Sequence, residues 1–280
     1  MAFTKDKFTL FWSLPPEELD WQNLRASRAR RVMMPFNIAF SRQDVLKRLK
    51  QEGRRVVLRI EEHTYSGDEA PMAIRSRFRT MRQFVNIDAV IIGCEPDDVV
   101  PSFEYGAQSW GQEHAIEHQF RMDRVREALQ PEGVKVVSPG LMMRSITEDD
   151  APQPGKITWR EFVAPAYNRC DGNGVHIYGH KWQSLVDELR AKFAVKEAME
   201  LFHKPLWIDE CGFGLDTETT AMIGWISFAS MIMAQPRLAA RVEMICPFVS
   251  TGDPGNPPAW DRRFLVRDPA EYQRLGAFLA

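Results

Sequence analysis

Two glutamates each follow an apolar segment typical of a buried strand. Glu95 ends the run Ala89-Val-Ile-Ile-Gly-Cys-Glu, and Glu210 ends the run Pro205-Leu-Trp-Ile-Asp-Glu. Carboxylates at the ends of two strands of one parallel barrel can face each other across its mouth. Such a pair, with one carboxyl protonated and the other ionised, can cleave a glycosidic bond by acid–base and nucleophilic chemistry. Hydrolysis of a glycoside is therefore the first functional hypothesis.

The elements that would position these glutamates follow a regular order. Short runs rich in Val and Ile alternate with longer amphipathic stretches, which predicts repeated strand–helix units. This pattern over 280 residues predicts a (β/α)8 TIM barrel in the α/β class, as a single domain over residues 1–280. A nucleotide-binding doubly wound sheet is less favoured, because the sequence has no GxGxxG or GxxxxGKS/T motif. The predicted strands are Phe8–Leu14, Val32–Ile38, Arg55–Glu61, Ala89–Glu95, Lys135–Gly140, Gly174–Tyr178, Pro205–Glu210 and Val242–Val249, and the predicted helices are Ser41–Gln51, Met72–Phe84, His114–Leu129, Gln183–Phe202 and Thr217–Ala234.

Three segments resemble motifs of the clan A retaining glycoside hydrolases, a TIM-barrel superfamily that includes cellulases and mannanases. IIGCEPD, at 91–97, is similar to their strand-four IGNEP segment. KPLWIDECGFG, at 204–214, is similar to their strand-seven KPIWITEFG segment, and GVHIYGH, at 174–180, is similar to their strand-six HxY segment. The three segments occur in the same order as in the superfamily.

This resemblance implies a role for each matching residue. Glu95 corresponds to the general acid/base and Glu210 to the nucleophile, while His176 and Tyr178 would support the site. A tyrosine beside the nucleophile could donate a hydrogen bond that keeps the carboxylate ionised. The implied substrate is a β-linked oligosaccharide or polysaccharide, and the implied mechanism requires no cofactor and no metal.

The sequence departs from the superfamily pattern at two positions. Cys94 stands where an Asn usually contacts the sugar 2-hydroxyl, and a thiol is a poor hydrogen-bonding group. Met33 stands on the predicted second strand where Arg is common, and Arg59 on the third strand is a candidate replacement. These departures keep open a second hypothesis, in which the protein is a carbohydrate-binding TIM barrel without catalytic activity.

Several aromatic and basic residues are candidates for contacts with a sugar. Trp182, after the HIYGH segment, and Trp260, in the last long predicted loop, could present flat faces for stacking. His63 follows the third predicted strand and is a further candidate contact. Trp207 lies inside a predicted strand, so we expect it to pack in the core.

A rival motif places two histidines four residues apart. The segment His114-Ala-Ile-Glu117-His118 fits HxxEH, the inverted zinc-peptidase signature, in which both histidines share one helix face. A zinc peptidase is thus a third hypothesis. Short motifs of this length also arise by chance, and the surrounding polar residues are typical of a solvated helix.

Composition excludes some classes of partner and sets an expected location. The net charge of −2 makes a general grip on nucleic acid implausible. No apolar run reaches the roughly 18–20 residues that span a bilayer, and the start lacks a secretory pattern, so we expect no membrane association and a cytoplasmic location, with non-classical release as the alternative. The four cysteines form no CxxC pair, which disfavours a disulfide scaffold. The oligomeric state is left open.

Overall fold

Parallel strands alternate with helices throughout the computed structural model, which describes residues 5–60, 69–93, 112–143, 154–179, 185–213, 218–247 and 266–280. The strands are β1 (Thr9–Phe11), β2 (Arg31–Pro35), β3 (Arg55–Ile60), β4 (Asn86–Ile92), β5 (Lys135–Val137), β6 (Leu141–Met142), β7 (Asn173–Gly179), β8 (Leu206–Phe213) and β9 (Val242–Pro247). The α-helices are α1 (Glu18–Ser27), α2 (Phe36–Ser41), α3 (Gln43–Gln51), α4 (Ala70–Met81), α5 (Gln112–Leu129), α6 (Pro154–Tyr167), α7 (Leu185–Leu201), α8 (Glu218–Met233), α9 (Pro236–Arg241) and α10 (Pro269–Phe278).

The strands form two parallel sheets that together make a barrel. One sheet has the order β1-β2-β3-β4-β5 and the other the order β6-β7-β8-β9. β5 and β6 are separated only by residues 138–140, so they are two halves of the fifth barrel strand. Parallel bridges from Phe8 to Ile245 and from Val137 to Gly172 join the sheets at both edges. The predicted (β/α)8 TIM barrel is confirmed.

Side-chain alternation along the strands separates an inner from an outer core. Neighbouring residues of a strand point to opposite faces. Val56, Leu58 and Ile60 of β3 belong to the large outer cluster that packs against the helices. Val57 belongs to a small separate cluster that fills the barrel interior. The other buried members of this inner cluster are Phe11, Met33, Ala89, Ile91, Val137, Trp207, Met244 and Cys246.

The predicted strands and five predicted helices recur in the structure, with three differences in detail. The strand predicted over Val32–Ile38 ends at Pro35, because the chain turns there into α2, which buries Phe36. The fifth strand is interrupted at 138–140 rather than continuous to Gly140. Within the described ranges, five helices are additional to the predicted ones: α1, α2, α6, α9 and α10. Within the described residues, no helix is both long and apolar enough to cross a membrane.

The interruption of the fifth strand packs tightly against Gly174 on β7. A Cβ atom on Gly174 would lie 2.6 Å from the carbonyl oxygen of Ser138 and 2.7 Å from the amide nitrogen of Gly140. Both atoms belong to the backbone, so they cannot move aside as a flexible side chain could. A residue without a side chain is therefore required where β7 passes the interruption.

We expect the Gly174→Ala substitution to destabilise the fold by about 2–3 kcal/mol, because the new methyl group overlaps backbone atoms in a close-packed region. Urea unfolding followed by circular dichroism measures this loss. The matched control is Gly53→Ala, where the Cβ meets nothing within 4 Å and only the positive φ of +68° is strained, which costs about 1–2 kcal/mol. Equal losses in the two variants would contradict the steric explanation.

Candidate active site

Glu210 lies on β8 inside the barrel and is only 4% exposed. β8 continues three residues beyond it to Phe213, because Cys211, Gly212 and Phe213 still pair with β7. The sequence pattern predicts Glu210 at the end of a strand. The structure instead places it inside β8. Its carboxylate lies among polar side chains from two other strands.

In the described part of the chain, three side chains surround the Glu210 carboxylate. The Arg59 guanidinium, from β3, donates from Nη1 to Oε1. The Tyr178 hydroxyl, from β7, donates to Oε2. His176, also from β7, places Nδ1 3.6 Å from Oε2, a distance typical of an ion pair and too long for a hydrogen bond. Both carboxylate oxygens are thus engaged by groups that favour the ionised form.

These groups determine the ionisation of Glu210. Burial is the largest single influence, and by itself it would raise the pKa of the carboxyl. The positive charges of His176 and Arg59 and the hydrogen bonds from Tyr178 and Arg59 act in the opposite direction. Their sum outweighs burial, and the pKa of Glu210 is lowered below its usual value. A buried carboxylate that stays ionised is suited to act as a nucleophile.

Arg59 reaches Glu210 from the wall formed by β2, β3 and β4. It pairs in register with Pro35 of β2 and Ile91 of β4. Its guanidinium also lies 4.5 Å from the centroid of the Phe11 ring, a cation–π arrangement. Met33, which stands where the superfamily commonly has Arg, lies in the apolar inner cluster. The guanidinium inside the barrel therefore comes from Arg59 on β3, and β2 contributes the apolar Met33 instead.

Asp209 is a site residue that the sequence analysis missed. It lies on a β-bulge, because the register passes from Val175↔Ile208 directly to His176↔Glu210 and leaves Asp209 unpaired. A bulge redirects side chains relative to strict alternation. Asp209 is completely buried, and its Oδ2 lies 3.2 Å from His176 Nε2. In the sequence, only its position directly before Glu210 could have indicated that Asp209 belongs to the site.

Of the predicted site residues, the structure brings together Arg59, His176, Tyr178 and Glu210. The remaining five lie outside the described residues: His63, Cys94, Glu95, Trp182 and Trp260. Trp207 is buried in the inner cluster, which confirms its predicted packing role. The distance between Glu95 and Glu210 would distinguish retaining from inverting geometry. Because Glu95 lies outside the described residues, the retaining mechanism stays a prediction.

The HxxEH motif does not present its described residues on one face. His118 is buried, and its Nε2 lies 2.7 Å from the Tyr167 hydroxyl on α6. The Glu117 side chain is 55% exposed and pairs with Arg121 on the solvent side of α5. Among the described residues, no group of three His, Cys, Asp or Glu side chains could hold a metal ion. His118 therefore acts as a packing residue, and the geometry does not favour the zinc-peptidase hypothesis.

Cys211, adjacent to Glu210, is not suited to nucleophilic chemistry. Burial raises the pKa of its thiol, and the neighbouring carboxylates of Glu210 and Asp209 raise it further. Cys246, on the neighbouring strand β9, is likewise buried with a raised pKa. A thiolate nucleophile requires the opposite shift. Glu210 is thus the nucleophile candidate that β8 supplies.

Comparison with known proteins places this fold in a defined class. No family model matches the chain, and no curated protein matches it in sequence. Among solved structures, an endo-β-1,3-glucanase of family GH128 from Sorangium cellulosum is similar with a TM-score of 0.64 at 16% identity, over 98% of this chain and 97% of that one. A β-glycosidase from Pyrococcus horikoshii has a TM-score of 0.63 at 10% identity, over 94% and 84%. A curdlan-specific exo-β-1,3-glucanase of GH128 from Blastomyces gilchristii has a TM-score of 0.55 at 12% identity, over 97% and 99%.

The chain therefore has the fold of the TIM-barrel glycoside hydrolases. The similarity to clan A enzymes inferred from three short segments is confirmed at the level of the fold. It extends over at least 94% of this chain and at least 84% of each of these three neighbours.

We expect the Arg59–Glu210 pair to be strongly coupled in stability. Arg59→Met should cost about 3–5 kcal/mol, because it removes the guanidinium that donates to a buried carboxylate. Adding Glu210→Gln to Arg59→Met should recover part of this loss, with a coupling energy of about 1–3 kcal/mol. Chemical denaturation of the four proteins of the double-mutant cycle measures both quantities.

The exposed pair of Arg42 and Asp44, at 2.8 Å, provides the matched control cycle. An exposed ion pair contributes less than about 1 kcal/mol. A coupling energy for Arg59 and Glu210 no larger than that of the control pair would contradict the compensation of a buried charge.

Proposed function

We propose that the protein is a retaining O-glycoside hydrolase in which Glu210 is the nucleophile. The observation that carries this proposal is the ionised, buried carboxylate of Glu210, held by Arg59, His176 and Tyr178. Such an arrangement fixes the direction of the carboxylate and keeps it free of a proton, which are the two requirements for attack on an anomeric carbon. The fold of the structural neighbours supports the same class of reaction.

We propose Glu95 as the general acid/base, from its position in the chain. Ala89 and Ile91 of β4 belong to the inner cluster, and Glu95 follows the last residue of this strand by three positions. Arg59, which contacts Glu210, is level with Ile91. β4 ends at Ile92, one residue after this partner of Arg59. A residue just past this strand end is suited to act on the opposite side of the bond attacked by Glu210.

The proposed reaction has two steps. In the first, a Glu210 oxygen attacks the anomeric carbon while Glu95 gives its proton to the leaving oxygen, which forms a glycosyl ester. In the second, Glu95 takes a proton from water, and the water oxygen displaces the Glu210 carboxylate. The carboxylate is regenerated with its negative charge, which Arg59, His176 and Tyr178 are placed to stabilise.

We propose a β-linked glucan as the first substrate to test, in a single catalytic domain spanning 1–280. Two neighbours are described as β-1,3-glucanases, and each matches this chain over at least 97% of both lengths. Another neighbour is an endo-β-1,4-mannanase from Cellulomonas fimi, so mannan belongs in the same panel. The soluble oligosaccharides of these polymers are suitable for binding measurements.

We expect the wild-type protein to release reducing sugar from a β-linked member of a panel of β-1,3-glucan, β-1,4-glucan, mannan, xylan and galactan. Glu95→Gln should lower the rate about 10²–10⁴-fold, because it removes general acid–base catalysis. Glu210→Gln should lower it at least as much. The matched control is Glu243→Gln, a partly exposed carboxylate paired with Lys135, which should retain wild-type activity.

Activity that survives Glu210→Gln would overturn the assignment of the nucleophile. Wild-type protein that binds one glycan without turnover would replace the proposal by the non-catalytic carbohydrate-binding barrel. Circular dichroism of each variant separates loss of chemistry from loss of fold.

We expect the first sugar product to have the same anomeric configuration as the substrate, because two successive displacements restore it. Proton NMR of the anomeric signals in the first minutes of the reaction distinguishes retention from inversion. An inverted first product would contradict a covalent intermediate on Glu210. The α-anomer and β-anomer of the free sugar, dissolved under the same conditions, give the reference spectra and the rate of mutarotation.

A further inference from the structure

Asp209 is a buried carboxylate whose contact among the described residues is His176. It is completely buried, and among the described residues its Oδ1 has no hydrogen-bond partner. Its Oδ2 lies 3.2 Å from Nε2 of His176. The other ring nitrogen of His176, Nδ1, lies 3.6 Å from Glu210 Oε2. The imidazole therefore lies between two carboxylates, with one on each nitrogen.

A carboxylate on each side of the imidazole favours a ring that carries a proton on each nitrogen. The Glu210 carboxylate accepts from the Arg59 guanidinium and from the Tyr178 hydroxyl, which donates as a neutral phenol. Two further titratable groups that the described structure places near these carboxylates are the thiols of Cys211 and Cys246, whose raised pKa values keep them neutral. Uncompensated charge is costly in a buried site. A doubly protonated His176 places a second positive charge beside the Glu210 carboxylate.

Packing also restricts the orientation of the His176 ring. Gly140, in the interruption of the fifth strand, lies directly against Nε2 and Cδ2, where a Cβ would overlap the ring. The same Cβ would lie 2.9 Å from Asp209 Oδ1. The ring of Tyr178 meets the imidazole edge to face, with centroids 6.4 Å apart. The ring is thus confined between the interruption of the fifth strand, Tyr178 of β7 and Asp209 of β8, with a carboxylate near each nitrogen.

We propose that Asp209 is a positioning residue that holds His176 as a fixed imidazolium cation beside the Glu210 carboxylate. This inference rests on the proposed function, since the benefit arises in the reaction on Glu210. When the bond between the anomeric carbon and the Glu210 oxygen breaks, its electron pair returns to the carboxylate. The imidazolium stabilises this returning charge without giving up a proton. The proton of the attacking water passes to Glu95.

The first test determines the protonation of His176 without reference to catalysis. The protein contains six histidines, and comparison with His176→Gln assigns the signals of His176 in spectra of protein labelled with ¹⁵N-histidine. We expect both ring nitrogens of wild-type His176 to stay protonated to about pH 8, above the ordinary histidine pKa of about 6.5. In Asp209→Asn we expect a neutral ring at pH 7.5. A neutral His176 ring in the wild-type protein at pH 7 overturns the inference.

The second test uses the pH profile of the proposed reaction. Removing the charge of Asp209 lets His176 lose its proton near neutral pH, whereas the imidazole stays protonated in acid. In Asp209→Asn, kcat relative to wild type should therefore fall about 10²-fold at pH 7.5, as for other charge-stabilising groups, and should recover below about pH 5. KM should not change, because Asp209 is completely buried and cannot contact a sugar.

The matched control is Asp88→Asn. Asp88 is a partly buried aspartate on β4 that pairs with Arg55 at 3.2 Å, near the start of β3. It should leave the His176 spectrum and the pH profile unchanged. An Asp209→Asn variant with reduced stability, whose kcat is lowered by the same factor at every pH, would make Asp209 merely structural and would overturn the inference. Because the spectra need no substrate, failure of the proposed hydrolase activity stays distinguishable from failure of this inference.

Discussion

The compensation of the buried Glu210 carboxylate is the constraint on which the arrangement of the barrel interior depends. A carboxylate at 4% exposure stays ionised only if charge and hydrogen bonds replace the water it has lost. No single strand supplies enough of them. Arg59 comes from β3, across the ring from β8, whereas Tyr178 and His176 come from the adjacent strand β7. The requirement of one side chain therefore determines polar positions on two other strands.

The same requirement explains where the interior changes from apolar to polar. Nine buried residues form the inner cluster below the site, and the Tyr178 ring packs against them while its hydroxyl reaches Glu210. The Arg59 guanidinium covers the Phe11 ring in the same way, with its cationic end on Glu210. Each of these amphipathic side chains joins the apolar layer to the charged group. The side chains of Tyr178 and Arg59 thus form the boundary between the apolar core and the polar site.

Much of this arrangement could be predicted from the sequence, and the remainder depends on pairing between distant strands. The runs of Val and Ile predict the barrel strands because a strand buried on both faces must be apolar throughout. Arg59 is two residues from Val57 on β3, so its inward direction could be predicted from the sequence. Its contact with Glu210 could not, because that contact forms only when the strands close into a barrel. The bulge at Asp209 is a property of the register between β7 and β8, and no composition of β8 alone specifies it. The five predicted site residues outside the described part of the chain remain predictions.

The division of the barrel into two sheets has a consequence for the order of folding. Arg59 belongs to the sheet of β1 to β5, whereas Glu210, His176 and Tyr178 belong to the sheet of β6 to β9. The sheets meet at the interrupted fifth strand and at the bridge between Phe8 and Ile245. Neither sheet alone brings the guanidinium to the carboxylate, so this contact forms only at ring closure. The complete group of Arg59, His176, Tyr178 and Glu210 therefore assembles only after both sheets have formed. A local opening at either junction between the sheets would separate Arg59 from Glu210 while each sheet remained intact.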